Sequence, residues 1–218
     1  MKARAPRTVN ARDPDPRPRR VRIIGGIWKR TPLPVPEVDG LRPSPDRIRE
    51  TLFNWLGQDL SGRHCLDLFA GSGALGLEAA SRGAAAVVMV ERDRRAAASI
   101  RATMAKLGAT QTELLESDAL AALDGLQRRS RRFDLVFLDP PFGQNWLARV
   151  MPHLPSVLRP DARVYVESEV ALAAADLARW LAQPVIAAEN GPVALKTAKA
   201  GKVHYHLFQI ARPGPGEP

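Results

Sequence analysis

From Arg63 onward, short apolar runs alternate with longer amphipathic ones. "HCLDLF", "AAVVMVE", "TELLES", "FDLVFLD" and "RVYVES" have strand length and predict five strands. Between them, Ala74–Arg82, Arg94–Leu107, Ala119–Arg129 and Trp146–Leu158 read as helices. Strands alternating with helices of this length predict a parallel sheet covered on both faces. The end of the chain differs. "PVIAAENG" and "KVHYHLFQIA" read as two strands joined by a loop, an antiparallel pair at the sheet edge. The expected fold is α/β and Rossmann-like, a seven-stranded, mainly parallel sheet with an antiparallel edge strand. No internal repeat is evident.

Upstream, "VRIIGG" and "IWKRTPLPVP" predict a hairpin or short strands over Val21–Val38. "LRPSPDRIRETLFNWL" then predicts a helix. Ser44 is its expected N-cap, Pro45 its first helical residue, and Asp46 sits where the helix dipole favours an anion. Ile48, Leu52, Trp55 and Leu56 recur at helical spacing and form its buried face, leaving Arg42, Arg47 and Arg49 to face elsewhere. Residues 1–20 alternate Arg with Pro and read as a disordered basic tail. The expected division is that tail, an N-terminal extension over 21–60, the main domain over 61–211 and a flexible tail over 212–218.

Charge adds a partner class. The 218 residues carry a net charge of +9, which points to a polyanion, most often nucleic acid. The single cysteine, Cys65, excludes an intrachain disulfide and suits a reducing, cytoplasmic setting; within its apolar strand it is expected to be buried and inert. The longest apolar run, Ala84–Val90, ends on Glu91 and is too short to span a membrane, so no membrane partner is expected. The basic N-terminus lacks an apolar signal core, and its prolines with Asp13 and Asp15 argue against an amphipathic presequence.

Four constellations carry chemistry. In "DLFAGSGALGLEAA" a strand ends near Phe69, Gly71 and Gly73 follow, and a helix opens at Ala74. Such a turn lets a ligand approach backbone N–H groups at a helix start. The spacing Gly71-x-Gly73-x-x-Gly76 fits a dinucleotide site, but Asp67 before it would crowd a pyrophosphate. A carboxylate there suits a cofactor bearing an amino group, such as S-adenosylmethionine (SAM); the plainer reading is a loop-capping carboxylate. Glu91 ends the next strand, about twenty residues on, where a ribose diol is gripped; a solvent-facing charge is its alternative. Asp118 follows the third strand and can accept from an adenine amine while Ala119 N–H bonds the ring; it also fits an ordinary N-cap, and the two roles can coexist.

The fourth is "DPPF", Asp139 to Phe142. Proline has no N–H for a sheet ladder, so the apolar run must stop there on a stiff backbone. An amino group on a planar base is a poor nucleophile, because its lone pair is delocalised. The Asp139 carboxylate and the Pro140 carbonyl can hold its two N–H bonds, Pro141 keeps the geometry rigid, and Phe142 can stack on the base. The alternative is a strand-ending turn with a packed ring. His204 and His206 lie two apart without evident further ligands, so no metal site is expected.

Taken together, "RIIGGIWKR", "LRPSPDRIRETLFNWL", "CLDLFAGSGALGLEAASRGA" and "DLVFLDPPF" resemble the RsmD family of class I SAM-dependent methyltransferases. That family methylates the N2 amino group of a guanine in bacterial 16S ribosomal RNA. The resemblance covers about residues 20 to 211 and departs at Ser44, where the family has Thr. It implies a class I methyltransferase fold and places Gly71, Ser72 and Gly73 along the methionine and ribose of SAM, with Asp67, Phe69 and Ala119 beside them. Glu91 would hold the ribose and Asp118 the adenine, while Asp139, Pro140, Pro141 and Phe142 would hold the guanine. S-adenosylhomocysteine would be the product. The partner would be 16S ribosomal RNA, either naked or in a partly assembled small subunit, and the enzyme is expected to be a monomer. Arg22, Lys29, Arg30, Arg42 and Arg47 are the expected RNA contacts, with Trp28 stacking on a base; the plain alternative is a solvated basic face with one packing tryptophan. The other readings are an adenine-N6 methyltransferase, an NAD-dependent oxidoreductase and a non-catalytic RNA-binding protein.

Overall fold

The computed structural model describes residues 20–36, 38, 45–181 and 193–210. Most of the predicted N-terminal tail, Arg42, Ser44, the "PVIAAENG" run and the C-terminal tail lie outside the described residues. A short ribbon pairs β1 (Arg20–Arg22) antiparallel with β2 (Pro32–Pro34). Helix α1 spans Asp46–Leu56. The main sheet then comprises β3 (His64–Asp67), β4 (Ala86–Glu91), β5 (Thr112–Glu116), β6 (Phe133–Leu138), β7 (Leu158–Ser168), β8 (Val193–Ala200) and β9 (Val203–Gln209). Its order is β5-β4-β3-β6-β7-β9-β8. The first five strands are parallel; β9 lies between β7 and β8 and runs against both.

Alternation along each strand divides the core. Cys65, Leu135, Phe137 and Tyr165 face one side, where α1, α2 (Ala74–Ser81) and α3 (Arg94–Leu107) pack. Leu66, Val136, Leu138, Val164 and Val166 face the other, under α4 (Ala119–Arg128), α5 (Trp146–Val150) and α6 (Ala174–Trp180). On α1, Ile48, Leu52 and Phe53 are fully buried, each adding about 1.5–3 kcal/mol of apolar transfer.

Several boundaries differ from the expectation for identifiable reasons. Pro45 caps α1 rather than opening it: its ψ of 147° is not helical, and its carbonyl accepts Ile48 N–H at 2.9 Å. The helix predicted over Trp146–Leu158 splits after Val150, and Met151–Val157 continues as a 3-10 helix. Pro155 inside that segment has no N–H for an α-helical bond. β8 occupies the stretch expected to be a loop, and α6 was not foreseen. β8 shows no apolar alternation because as an edge strand it is exposed over most of its length; its pairing with β9 defines it.

The N-terminal segment is bound to α2 through a buried carboxylate. Glu78 accepts the N–H groups of Ile24 at 2.6 Å and Gly25 at 2.8 Å. Ile27 N–H donates to the Ser81 carbonyl at 2.8 Å and Trp28 N–H to Ser81 Oγ at 2.9 Å. Gly26 is required at this contact: its φ is +73°, and a Cβ there would stand 1.8 Å from the Ser81 carbonyl oxygen. Arg49, expected to face away from the core, is fully buried. Its guanidinium donates to Asp46 at 2.6 Å and to the Arg22 carbonyl at 2.9 Å, and lies 3.7 Å from Glu78. Arg82 completes the network, donating to Glu78 at 2.8 Å and 2.7 Å. Burial holds the Arg49 pKa below its ordinary value, with the Asp46 and Glu78 charges opposing that shift.

Candidate active site

The carboxyl ends of β3 to β7 open into one cleft of about 1610 Å³. β3 and β6 are neighbours there, and the chain order reverses between them, which is where open α/β sheets bind ligands. Pockets for one small ligand run to about 1,000 Å³, so this cleft has room for a cofactor and a nucleotide together.

The floor is the loop after β3. Gly71 and Gly73 take φ values of +56° and +78°, and α2 starts at once. Gly71 N–H donates to Glu91 Oε2 at 2.7 Å, and Asp93 N–H to Glu91 Oε1 at 2.8 Å. Glu91 is therefore no stray surface charge but ties the loop to the end of β4. Burial raises its pKa, and the two N–H bonds oppose that. Each oxygen keeps a lone pair to accept from a diol. Ser117 N–H donates to the Glu91 carbonyl at 3.1 Å, which brings Asp118 alongside. Asp118 caps α4, with Oδ1 accepting Leu120 N–H at 2.9 Å. Phe69, Gly71, Ser72, Glu91, Asp118 and Ala119 all line the cleft.

Asp67 and Gly73 do not line it. Asp67 is buried, and its Oδ2 accepts Gly76 N–H at 2.9 Å. Its Oδ1 has no partner that meets hydrogen-bond geometry. Burial, helped by the Asp139 and Glu91 charges and opposed by the Gly76 bond, pushes the carboxyl up to about 7. The third glycine explains this placement. A Cβ on Gly76 would stand 2.5 Å from Met89 Cγ, so glycine lets α2 settle on the sheet and cover Asp67.

The opposite wall is Asp139–Phe142, all four in the cleft. Pro140 is buried, whereas the Phe142 ring is 41% exposed, unusual for an aromatic side chain. The following loop is tied down. Gly143 N–H donates to Glu169 Oε2 at 3.1 Å, and Trp146 Nε1 to Gln144 Oε1 at 3.0 Å. Trp146 packs edge-on to Phe69 at 5.7 Å and under the Arg149 guanidinium at 4.0 Å.

The predicted basic contacts stand apart from the cleft. Arg22, Trp28, Lys29, Arg30 and Arg47 do not line it, and Arg42 lies outside the described residues. The Arg22 guanidinium is engaged with Asp46 at 2.9 Å, and Trp28 is half-buried against the core, so its indole is a packing group. Lys29, Arg30 and Arg47 are not buried. Residues outside the expected site line the cleft instead: Glu167 and Glu169 at and beyond the end of β7, Trp146, and Lys199, Lys202 and His204 from the β8–β9 hairpin. Glu167 carried a legible signal, a carboxylate at a strand end like Glu91. The lysines carried none, because β8 itself was not legible.

Burial pushes the Cys65 thiol up to about 12. The His204 and His206 rings stack at 6.5 Å. His206 Nε2 accepts Leu172 N–H at 3.3 Å, and Nδ1 meets the Thr197 hydroxyl. Among the described residues no group of side chains could hold a metal ion, and no helix is long and apolar enough to cross a membrane.

Strand order, glycine loop and strand-end carboxylates together define the class I SAM-dependent methyltransferase architecture. The sequence model of the family described as conserved hypothetical protein 95 matches residues 21–208. Over 152 residues the chain is 44% identical to ribosomal RNA small subunit methyltransferase D of Escherichia coli strain K12, covering 69% of this chain and 75% of that protein. The chain belongs to the ribosomal RNA small subunit methyltransferase D family. Among solved structures, yhhF of Escherichia coli superposes with a TM-score of 0.73 at 38% identity, covering 89% of this chain and 99% of that one. The T. thermophilus 16S rRNA N2 G1207 methyltransferase, in complex with AdoMet and guanosine, matches at a TM-score of 0.65 and 25% identity, covering 90% of this chain and 50% of that one.

Proposed function

We propose that this enzyme methylates the N2 amino group of a guanine in small-subunit ribosomal RNA, using SAM. The observation that carries the reading is the Asp139–Phe142 wall facing the Gly71 loop across a cleft with room for two ligands. The donor set fits SAM: Glu91 for the ribose hydroxyls, Asp118 with Ala119 N–H for the adenine, and the Gly71–Ser72 backbone beneath the methionine part. When bound, SAM supplies an electrophilic methyl carbon and departs as S-adenosylhomocysteine.

The protein's work is positional. Asp139 and the Pro140 carbonyl accept the two N–H bonds of the amino group, drawing its nitrogen towards tetrahedral geometry and aiming its lone pair at the cofactor. Phe142 covers the purine face, and the target base reaches it unpaired or flipped out. The surplus amino proton leaves through the Asp139 hydrogen bond or directly to water. Lys199 and Lys202 at the rim attract the RNA backbone. The relatives' names and the guanosine-bound neighbour support this reading.

Methyl transfer from labelled SAM tests it, with naked small-subunit RNA and partly assembled subunits as substrates. Wild type should label RNA, whereas Asp139→Ala should lose at least about 100-fold in rate while calorimetry shows SAM still bound. Tight NAD binding without SAM binding, or equal labelling by Asp139→Ala, contradicts the reading.

A further inference from the structure

Glu167 is a cleft carboxylate that this scheme leaves without a role. It is 2% exposed, yet it lines the cleft. Strands β6 and β7 are parallel, with Phe137 opposite Tyr165 and Leu138 opposite Val166. One residue further along stand Asp139 and Glu167, side by side at the strand ends. Side-chain alternation puts both on one face, because Phe137 and Tyr165 share one core while Leu138 and Val166 share the other. Adjacent strands lie about 4.8 Å apart, close enough for side chains from both to converge on one edge of a base. The buried Tyr165 hydroxyl donates to Glu167 Oε1 at 2.8 Å and fixes the carboxylate's orientation. A carboxylate has about four acceptor sites, one of which takes the Tyr165 hydroxyl.

Guanine presents two donors side by side, the N2 amino group and N1–H. With the amino group on Asp139, a base oriented with N1 on the β7 side presents its N1–H to Glu167. Adenine and 2-aminopurine also carry an amino group beside N1, but their N1 holds a lone pair. We propose that Glu167 accepts the N1–H bond of the target guanine, and so selects guanine over purines whose N1 is unprotonated. Tyr165 is its positioning residue. This assignment rests on the function proposed above and supplies what the Asp139–Phe142 wall lacks, since that wall alone holds an amino group of either base. A purine with a lone pair at N1 would set it against a buried carboxylate, and sites that leave buried polar groups unpaired discriminate by up to about 10⁵-fold.

The test uses the full-length enzyme and small-subunit RNA carrying guanine or 2-aminopurine at the methylated position, reconstituted into subunits if naked RNA is inert. Wild type should prefer guanine in kcat/KM by at least about 100-fold. Glu167→Gln keeps an acceptor for Tyr165 and offers an N–H to the base. It should lose about 100-fold on guanine, hold or gain on 2-aminopurine, and bring the ratio within about 10-fold. Comparing ratios between enzymes cancels the intrinsic difference in amine reactivity. Equal losses on both bases, with the ratio preserved, overturn the proposal, because that is what a merely structural carboxylate would give. If Glu167→Gln fails to melt cooperatively or to bind SAM, Tyr165→Phe decides: a reduced ratio supports the proposal and a retained one overturns it. Wild type that methylates no guanine at all removes the parent reading before any variant is compared, and this assignment with it.

Discussion

Replacing Glu78 by glutamine preserves its shape and removes its charge, which isolates the electrostatics that bind the N-terminal segment and α1 to the cofactor-loop helix. The carboxylate is fully buried and accepts from Ile24 N–H, Gly25 N–H and the Arg82 guanidinium, with Arg49 at 3.7 Å. Glutamine offers one acceptor oxygen and turns an NH₂ group towards donors. It also leaves two buried guanidinium groups, Arg49 and Arg82, without their shared counter-charge. Removing one partner of a buried pair costs about 3–5 kcal/mol, and a hydrogen bond to a charged group about 1.5–3 kcal/mol. These overlap rather than add, so Glu78→Gln should destabilise the enzyme by about 4 kcal/mol. At about 2–4 °C per kcal/mol for a chain of this size, the melting temperature should fall by roughly 8–16 °C. Urea unfolding measures the loss, and limited trypsinolysis at Lys29 and Arg30 should accelerate as the segment detaches. Asp124→Asn is the control. Asp124 pairs with Arg128 at the surface, with 59% and 70% of the two side chains exposed, and the variant should stay within about 0.5 kcal/mol of wild type. A Glu78→Gln protein within about 1 kcal/mol of wild type, with unchanged proteolysis, would refute the reasoning.

Two further predictions concern the carboxylate buried under α2 and the rim of the cleft. The Asp67 carboxyl stands at about 7, above its ordinary 3.8, so the folded protein keeps this proton to a higher pH than the unfolded chain; its contribution to stability is full below about pH 4 and is lost as pH rises towards 7. Asp67→Asn has no such loss, so its stability relative to wild type should grow by a few kcal/mol, in order of magnitude, from about pH 4 to 8 in urea titrations, and a pH-independent difference contradicts the assignment. Lys199→Ala with Lys202→Ala should raise the KM for RNA and reduce the salt dependence of binding by about 0.7 in log–log slope for each phosphate that is no longer neutralised, leaving SAM affinity unchanged; Lys196→Ala, on β8 but outside the cleft, is the charge control, and equal slopes for all three proteins contradict the role given to the rim.

The elements legible in the sequence were those whose local signals and tertiary setting agree. Helix α3 runs over Arg94–Leu107 as predicted because Asp93 caps it, accepting Arg95 and Ala96 N–H, and Gly108 ends it at φ +60°. The cleft was legible through strand-end carboxylates and the prolines at 140 and 141, which stop a buried strand at the site. What escaped depends on contacts between distant segments. Arg49 lies in the buried stripe of α1, which no apolar pattern reveals; one of its two counter-charges, Glu78, comes from another helix. Asp67 was read as a ligand contact because the sequence does not show how closely Gly76 lets α2 approach the sheet. Strand β8 has too little apolar periodicity to stand out, so the lysines that its hairpin delivers to the rim were hidden with it. Glu167 carried the same signal as Glu91, but its place beside Asp139 emerges only from the register between β6 and β7.

Base mapping of the product tests the central claim most directly. Small-subunit RNA, naked and in partly assembled subunits, is incubated with the enzyme and isotopically labelled SAM, digested to nucleosides and fragments, and analysed by mass spectrometry. The account predicts labelled N2-methylguanosine at one position, absent when Asp139→Ala replaces the wild type. Label found only in N6-methyladenosine, or in no nucleoside although the enzyme binds SAM, would contradict it.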